Sequence, residues 1–162
     1  MRRADREITD PVRIAEILKK AKILHLGLND DGFPYVVPLH YGFDYDGRNG
    51  LTFYMHCAKE GHKLDLIRRD PRVCVELECD IELISGGEEA CRYGSAYASI
   101  IGRGHAEIVG DGEEKVRALK SLMRNQTGRD FEMTCEMAAS VAAIRVTVET
   151  FSAKGKSRPE AQ

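Results

Sequence analysis

The sequence has no apolar run near the roughly 20 residues that a membrane-spanning helix requires. No apolar segment follows the charged start at residues 1–7 to make a secretory signal, and a cytoplasmic protein without a membrane partner is expected. Neither charge dominates: 24 Lys and Arg stand against 26 Asp and Glu, a formal net charge of −2 with a pI of about 6.2. That balance excludes a nucleic-acid binder working through bulk electrostatics. Disulfide and zinc-ribbon frameworks are excluded because Cys57, Cys74, Cys79, Cys91 and Cys135 are odd in number, dispersed and never spaced Cys-x-x-Cys. These thiols are expected to be reduced and mostly partly buried. No two of His40, His56, His62 and His105 have the i, i+4 spacing of a helical zinc site, so no metal is expected. Ser95, Ser99 and Ser140 lack the Gly-x-Ser-x-Gly setting of a hydrolase nucleophile.

What is there is globular: 162 residues, 43% hydrophobic and 31% charged, with no internal repeat. One domain over 1–156 is expected, with 157–162 loose; the basic run 154–159 reads as loose chain. Thr9 or Asp10 caps a helix that Pro11 opens, with Ile14, Ile17, Leu18 and Ala21 on its buried stripe. From Ile23 the period changes to two, with Leu24, Leu26 and Leu28 opposite a hydrogen-bonded His25, and Asp30-Asp31-Gly32 turns the chain. The alternation predicts one long strand over 33–43, interrupted or placed at an edge by Pro38. A turn over 44–50 leads to a strand with Leu51, Phe53 and Met55 on one face and Thr52, Tyr54 and His56 on the other. A helix over 58–69, a strand over 72–78, a loop over 81–89 and a strand over 97–109 follow. Gly102 and Gly104 mark a bulge or a close approach in that last strand. Helices over 113–124 and 132–139 precede a β-branched strand over 141–151. Hairpins interrupted by a few helices point to a mainly β fold, an antiparallel barrel with helices over its openings.

Residues 34–66 carry the chemistry. His56, Lys59, Gly61, His62 and Lys63 set cations and a glycine at a helix start, which suits a dianionic phosphate. His62 and Lys63 are adjacent, so one of them faces away. His40, on a largely apolar strand, is either a hydrogen-bonded core residue or a ligand contact.

The segments MRRADREI, PYVVPLHYGFDYDG, FYMHCAKEGHKLDLI and YASIIGRGHAEIV resemble the pyridoxamine-phosphate-oxidase-like flavoproteins, in particular their nitroimidazole-resistance branch. The pairing of VPLHYGF with H-x-A-x-x-G-x-K carries that resemblance, which extends over residues 1–156. It implies a split β-barrel homodimer with flavin mononucleotide, or FAD in its place, at the interface. By position, His56, Ala58, His62 and Lys63 correspond to flavin-phosphate contacts, and Val36, Val37, Pro38, Leu39 and His40 to the strand along the isoalloxazine ring. Ser99 to Arg103 corresponds to a region that reaches the cofactor or the partner subunit. The implied activity is reduction of a nitro-aromatic or related small molecule, with His40 near the substrate. The alternative is a carrier or sensor that holds flavin or haem without turnover, His40 or His56 ligating haem iron. The substrate-phosphate arginine pattern of the true oxidases is not evident.

Overall fold

The computed structural model describes residues 3–157. A two-residue strand, β1 (Glu7–Ile8), precedes helix α1 (Pro11–Lys20), which Asp10 rather than Thr9 caps by accepting the Val12 N–H at 3.0 Å. Strands β2 (Ile23–Asp30) and β3 (Phe33–His40) form a hairpin. Its turn residues Asp31 and Gly32 have φ of 50° and 91°, the left-handed pair that matches the twist of the strands.

The single strand predicted over 33–43 is two strands. β3 stops at His40, and β4 (Gly42–Tyr45) pairs instead with β5 (Leu51–Cys57). Tyr41 makes the break. Its ring is fully buried and lies edge-on to Phe53 at 5.3 Å, and its hydroxyl sits 2.8 Å from the Leu18 carbonyl and 2.9 Å from that of Ala21. Its own carbonyl accepts the Asn125 and Gln126 amides at 3.0 and 2.9 Å.

Helix α2 (His62–Arg69) begins four residues later than predicted, the chain over 58–61 being irregular. β6 (Arg72–Ile84) runs into the first four residues of the loop predicted over 81–89, by way of a register shift between Cys79 and Glu82, and 85–89 are loop as predicted. Asp80, at φ 56°, turns its carboxylate to Arg13 and Lys20 of α1, each at 3.0 Å, which holds the bulge against the helix. β7 (Gly94–Ile108), α3 (Gly112–Thr127), α4 (Cys135–Ala138) and β8 (Ala142–Lys156) complete the chain. α4 is a single turn, shorter than predicted. The basic segment 154–156 is the end of β8 rather than loose chain; Arg158 and Pro159, like Met1 and Arg2, lie outside the described residues.

The strand order is β3-β2-β6-β7-β8-β5-β4 with β1 beside β8, and every pairing is antiparallel. Among the described residues no ladder joins β3 to β4 or β5, so the barrel is split there. Leu24, Leu26, Val75, Leu77, Ile100, Val146, Phe53 and Met55 fill it, with Ile17, Leu18, Leu64 and Leu66 closing it from α1 and α2. Burial of such side chains contributes about 1.5–3 kcal/mol each. All five cysteines are free, but only Cys57 and Cys79 are partly buried. The other three are exposed because Cys74 faces outward on β6, Cys91 lies on a short 3-10 turn and Cys135 opens α4.

Two glycines set close approaches. A Cβ on Gly104 would lie 2.0 Å from the Thr147 carbonyl oxygen, at the register shift between β7 and β8. A Cβ on Gly42 would lie 2.2 Å from the Leu122 nitrogen, so α3 rests its backbone on β4 there. Gly42→Ala is expected to lower stability by about 1–3 kcal/mol through overpacking. Thermal unfolding measures this, and an unchanged melting temperature would contradict the close packing of α3.

Candidate functional site

The split brings together the free edge of β3, the end of β5 and the start of α2. β3 pairs only with β2, and Met55 to Cys57 pair only with β8, so both strands present unpaired backbone toward the gap. Pro38 sits on this edge strand, where its missing N–H breaks no central ladder. Of the β3 residues, Val37 and Leu39 turn inward against the core, whereas Val36, Pro38 and His40 are exposed on the outer face. The five therefore cannot all lie along one ring through their side chains. One face offers Val36, Pro38 and His40; the inward pair contributes backbone.

His40 is exposed and hydrogen-bonded, not a core residue. Its Nδ1–H donates to the Lys22 carbonyl at 3.2 Å, which leaves Nε2 for any ligand. Gln126 donates to the same carbonyl at 3.2 Å and steadies that anchor.

At the other side of the gap, Gly61 stands as the N-cap of α2 with φ 143° and no side-chain cap. By contrast, Asp10, Asp111 and Thr134 cap the other three helices through their side chains. Open space surrounds the position a Gly61 Cβ would take. The first N–H groups of α2 thus have no side-chain cap at the positive end of the helix dipole. His56, Ala58 and Lys59 are exposed on the approach to it. Lys63 acts on the half-buried Cys57 thiol, countering the burial that pushes this thiol above its ordinary value.

His62 turns away from Lys63. It donates Nε2–H to Asp30 at 2.7 Å and meets Tyr35 edge-on at 5.2 Å, tying α2 to the β2–β3 turn. The His62 bond, with Arg69 alongside, holds the Asp30 carboxyl below its ordinary value. A depressed folded value makes this contribution present above the ordinary carboxylate pKa of about 4 and lost as pH falls through the folded value. Asp30→Asn is expected to flatten the acid limb of the thermal-stability profile. An unchanged acid limb argues against the tie. Asp30 and Tyr35 were legible only as turn and strand residues; nothing local marked them as partners of His62.

Ser99 and Arg103 do not join this group. They lie on β7, three strands from β3 in the sheet order. Ser99 is 7% exposed and Arg103 is exposed on the outer face. Three clefts of about 880, 720 and 480 Å³ mark the surface, and only Val36 of the predicted residues lines one of them, the smallest. This smallest cleft crosses the outer faces of β3, β2 and β6, beside Phe33 and Val36, which are 78% and 57% exposed. Among the described residues no group of His, Cys, Asp or Glu is arranged to hold a metal ion, and no helix is long and apolar enough to cross a membrane.

An antiparallel sheet curled into a split barrel, with an open helix N-terminus beside the split, defines the pyridoxamine-phosphate-oxidase-like split-barrel class. The sequence agrees: the pattern of the pyridoxamine 5'-phosphate oxidase family matches residues 10–155, and the chain belongs to that family. Among solved structures it resembles a candidate 5-nitroimidazole antibiotic resistance protein from Bacteroides thetaiotaomicron. That match has 31% identity and a TM-score of 0.77, covering 92% of this chain and 86% of the other. The flavocytochrome Anf3 from Azotobacter vinelandii shares the fold at 17% identity and a TM-score of 0.78, over 100% of this chain and 74% of that one. The FAD- and haem-binding protein from Mycobacterium smegmatis does so at 16% identity and a TM-score of 0.77, over 97% and 77%. No curated protein matches the chain at a significant level.

Proposed function

We propose that this protein is an FMN-dependent oxidoreductase that reduces a nitro-aromatic or related small molecule, as a homodimer whose second subunit completes each flavin site. FAD is the alternative flavin. The observation that carries this reading is the uncapped start of α2 at Gly61, open to solvent beside His56 and Lys63, with His62 of its first turn against Tyr35 of β3. Backbone N–H groups and cations converging there suit a phosphate. Val36, Pro38 and the β3 backbone suit the edge and face of a flat ring. Family membership and the similarity to the Bacteroides protein favour the flavin and the nitro-aromatic substrate.

Two exposed apolar residues, Phe33 and Val36, on a strand with a free edge favour cover by a second copy. A site shared between subunits would appear on one chain as an open groove. Arg103, exposed on β7, then belongs with the surface facing the partner, not with the same-chain phosphate grip. The residue roles follow. His56, Lys63 and the first N–H groups of α2 bind phosphate, and Ala58 leaves room for it. His62 positions α2 through Asp30. His40, held at Nδ1 by the Lys22 carbonyl, presents Nε2 to the substrate, and in its imidazolium form that nitrogen donates a proton to a developing oxyanion. Bound flavin, when reduced, supplies the hydride equivalents.

The absorption spectrum of the protein as purified tests the reading. Flavin bands at one flavin per chain are expected. A haem Soret band without flavin would replace the reading with the carrier alternative, and a stable monomer that retains flavin tightly would remove the shared site.

A further inference from the structure

The largest of the three clefts, about 880 Å³, lies on the other side of α3 and contains none of the residues assigned to flavin. Its volume is that of a small-molecule site. It exists because α3 rests on β4 at Gly42, where Ser121 also donates to the Phe43 carbonyl at 3.3 Å. Beside this contact the helix, the end of α1 and the outer surface of β4 and β5 enclose a trough with Phe43 and Tyr54 in its lining.

The charge in this trough is opposite to that of the chain. Lys19, Lys22, Arg117, Lys120, Arg124 and Arg145 line it against Asp44 and Glu114, an excess of four positive charges (six less two) in a chain of net −2. Both acids are already engaged: Asp44 accepts the Tyr54 hydroxyl at 2.9 Å, and Glu114 accepts from Arg145. The Lys19 and Arg117 side chains have no hydrogen-bond or carboxylate partner among the described residues, whereas the Lys22 ammonium donates to the Lys19 and Asn125 carbonyls, and Lys120, Arg124 and Arg145 pair with Glu132, Asp130 and Glu107. The Arg145 Nε is buried without an acceptor. Lys19 and Arg124 lie in the last turns of their helices, where the dipole alone would favour a cation. Arg117, in mid-helix, has no such explanation. Lys19 and Arg117, left unpaired on one concave surface, are open to a bound anion. Burial and the bond to Asp44 push the Tyr54 phenol up to about 12, so its ring stays neutral and offers a flat apolar face.

The geometry points to a second ligand site in this cleft, for a small planar compound that carries two or more negative charges, as a nucleoside diphosphate does. The anionic groups meet Lys19 and Arg117, and the planar part lies against Tyr54 and Phe43. The lining contains no flavin-phosphate or ring residue; it shares Lys22 and Gln126 with the anchor of His40, and the Lys19→Gln, Arg117→Gln variant leaves that anchor intact.

Calorimetric titration of the purified protein, with whatever cofactor it carries, tests this with ADP, pyrophosphate and adenosine as probes. ADP is expected to bind once per chain, more tightly than pyrophosphate, with adenosine undetected. The Lys19→Gln, Arg117→Gln double variant is expected to bind ADP about 10-fold or more weakly, with an unchanged melting temperature and visible spectrum. Undetectable ADP binding at ~1 mM, equal affinity in the double variant, or binding that displaces a bound chromophore would each overturn the site. Equal affinities for ADP and pyrophosphate would overturn the planar part of the ligand.

Discussion

Replacing His56 and Lys63 together with alanine is expected to release the flavin from the purified protein while the barrel stays folded. Both residues lie at the mouth of the split, His56 exposed at the end of β5 and Lys63 in the first turn of α2. A hydrogen bond from a charged group contributes about 1.5–3 kcal/mol. Losing two from a dianionic phosphate should therefore lower flavin affinity by a factor on the order of 100 to 10,000. The backbone donors of α2 survive in the variant, so weak residual binding is expected at high flavin concentration. His62→Ala is the control. His62 is committed to Asp30 and Tyr35, so its removal should cost stability more than flavin affinity. Flavin titration of the apoprotein, read by quenching of flavin fluorescence, gives both affinities. A double variant that keeps one flavin per chain with unaltered affinity would falsify the proposed grip.

Truncation of Tyr41 should produce the largest loss of stability of any single change at the split. The ring is fully buried against Phe43 and Phe53, and the hydroxyl is the partner of two carbonyls at the end of α1. Tyr41→Ala opens a cavity and is expected to cost about 3–5 kcal/mol, a large part of the stability of an ordinary domain. Tyr41→Phe keeps the ring and removes only the hydroxyl, for an expected loss of about 1–3 kcal/mol. Denaturant midpoints of the two variants separate packing from hydrogen bonding. Equal losses would mean that the ring contributes nothing beyond its hydroxyl, contrary to its burial. Burial also pushes this phenol well above its ordinary value. The folded value is raised, so the contribution is fully present below about pH 10 and is lost as pH rises through the folded value. The Phe variant should therefore lose less stability than the parent on the alkaline side.

Most elements were legible because their cues are local. Asp10-Pro11, the Asp31-Gly32 turn and the alternation of Leu24, Leu26 and Leu28 act within a few residues, and the structure keeps all three. The misread elements were decided at a distance. The strand over 33–43 breaks at Tyr41 because α1 and the amides of Asn125 and Gln126 take its polar groups. The segment after Cys79 continues as strand because Arg13 and Lys20, far away in sequence, hold Asp80. The candidate site divides in the same way. A glycine with cations at a helix start is readable from spacing, but the pairing of His62 with Asp30 requires α2 to fold against the β2–β3 turn.

By itself the sequence determined the antiparallel strand pattern, the amphipathic helices, the inward faces of the strands around Leu24–Leu28 and Leu51–Met55 and the stretch over 34–66 as the place to look for chemistry. Period, turn residues and caps are short-range consequences of backbone sterics and of which side chains avoid water. Tertiary structure alone decided that the barrel is split at Tyr41, that α2 starts uncapped at Gly61 and that His62 and Lys63 face different partners. It also set Ser99 and Arg103 three strands away and gathered six cations from α1, α3 and β8 into one cleft. Each of these depends on contacts between segments tens of residues apart, and such contacts have no period for a single sequence to display.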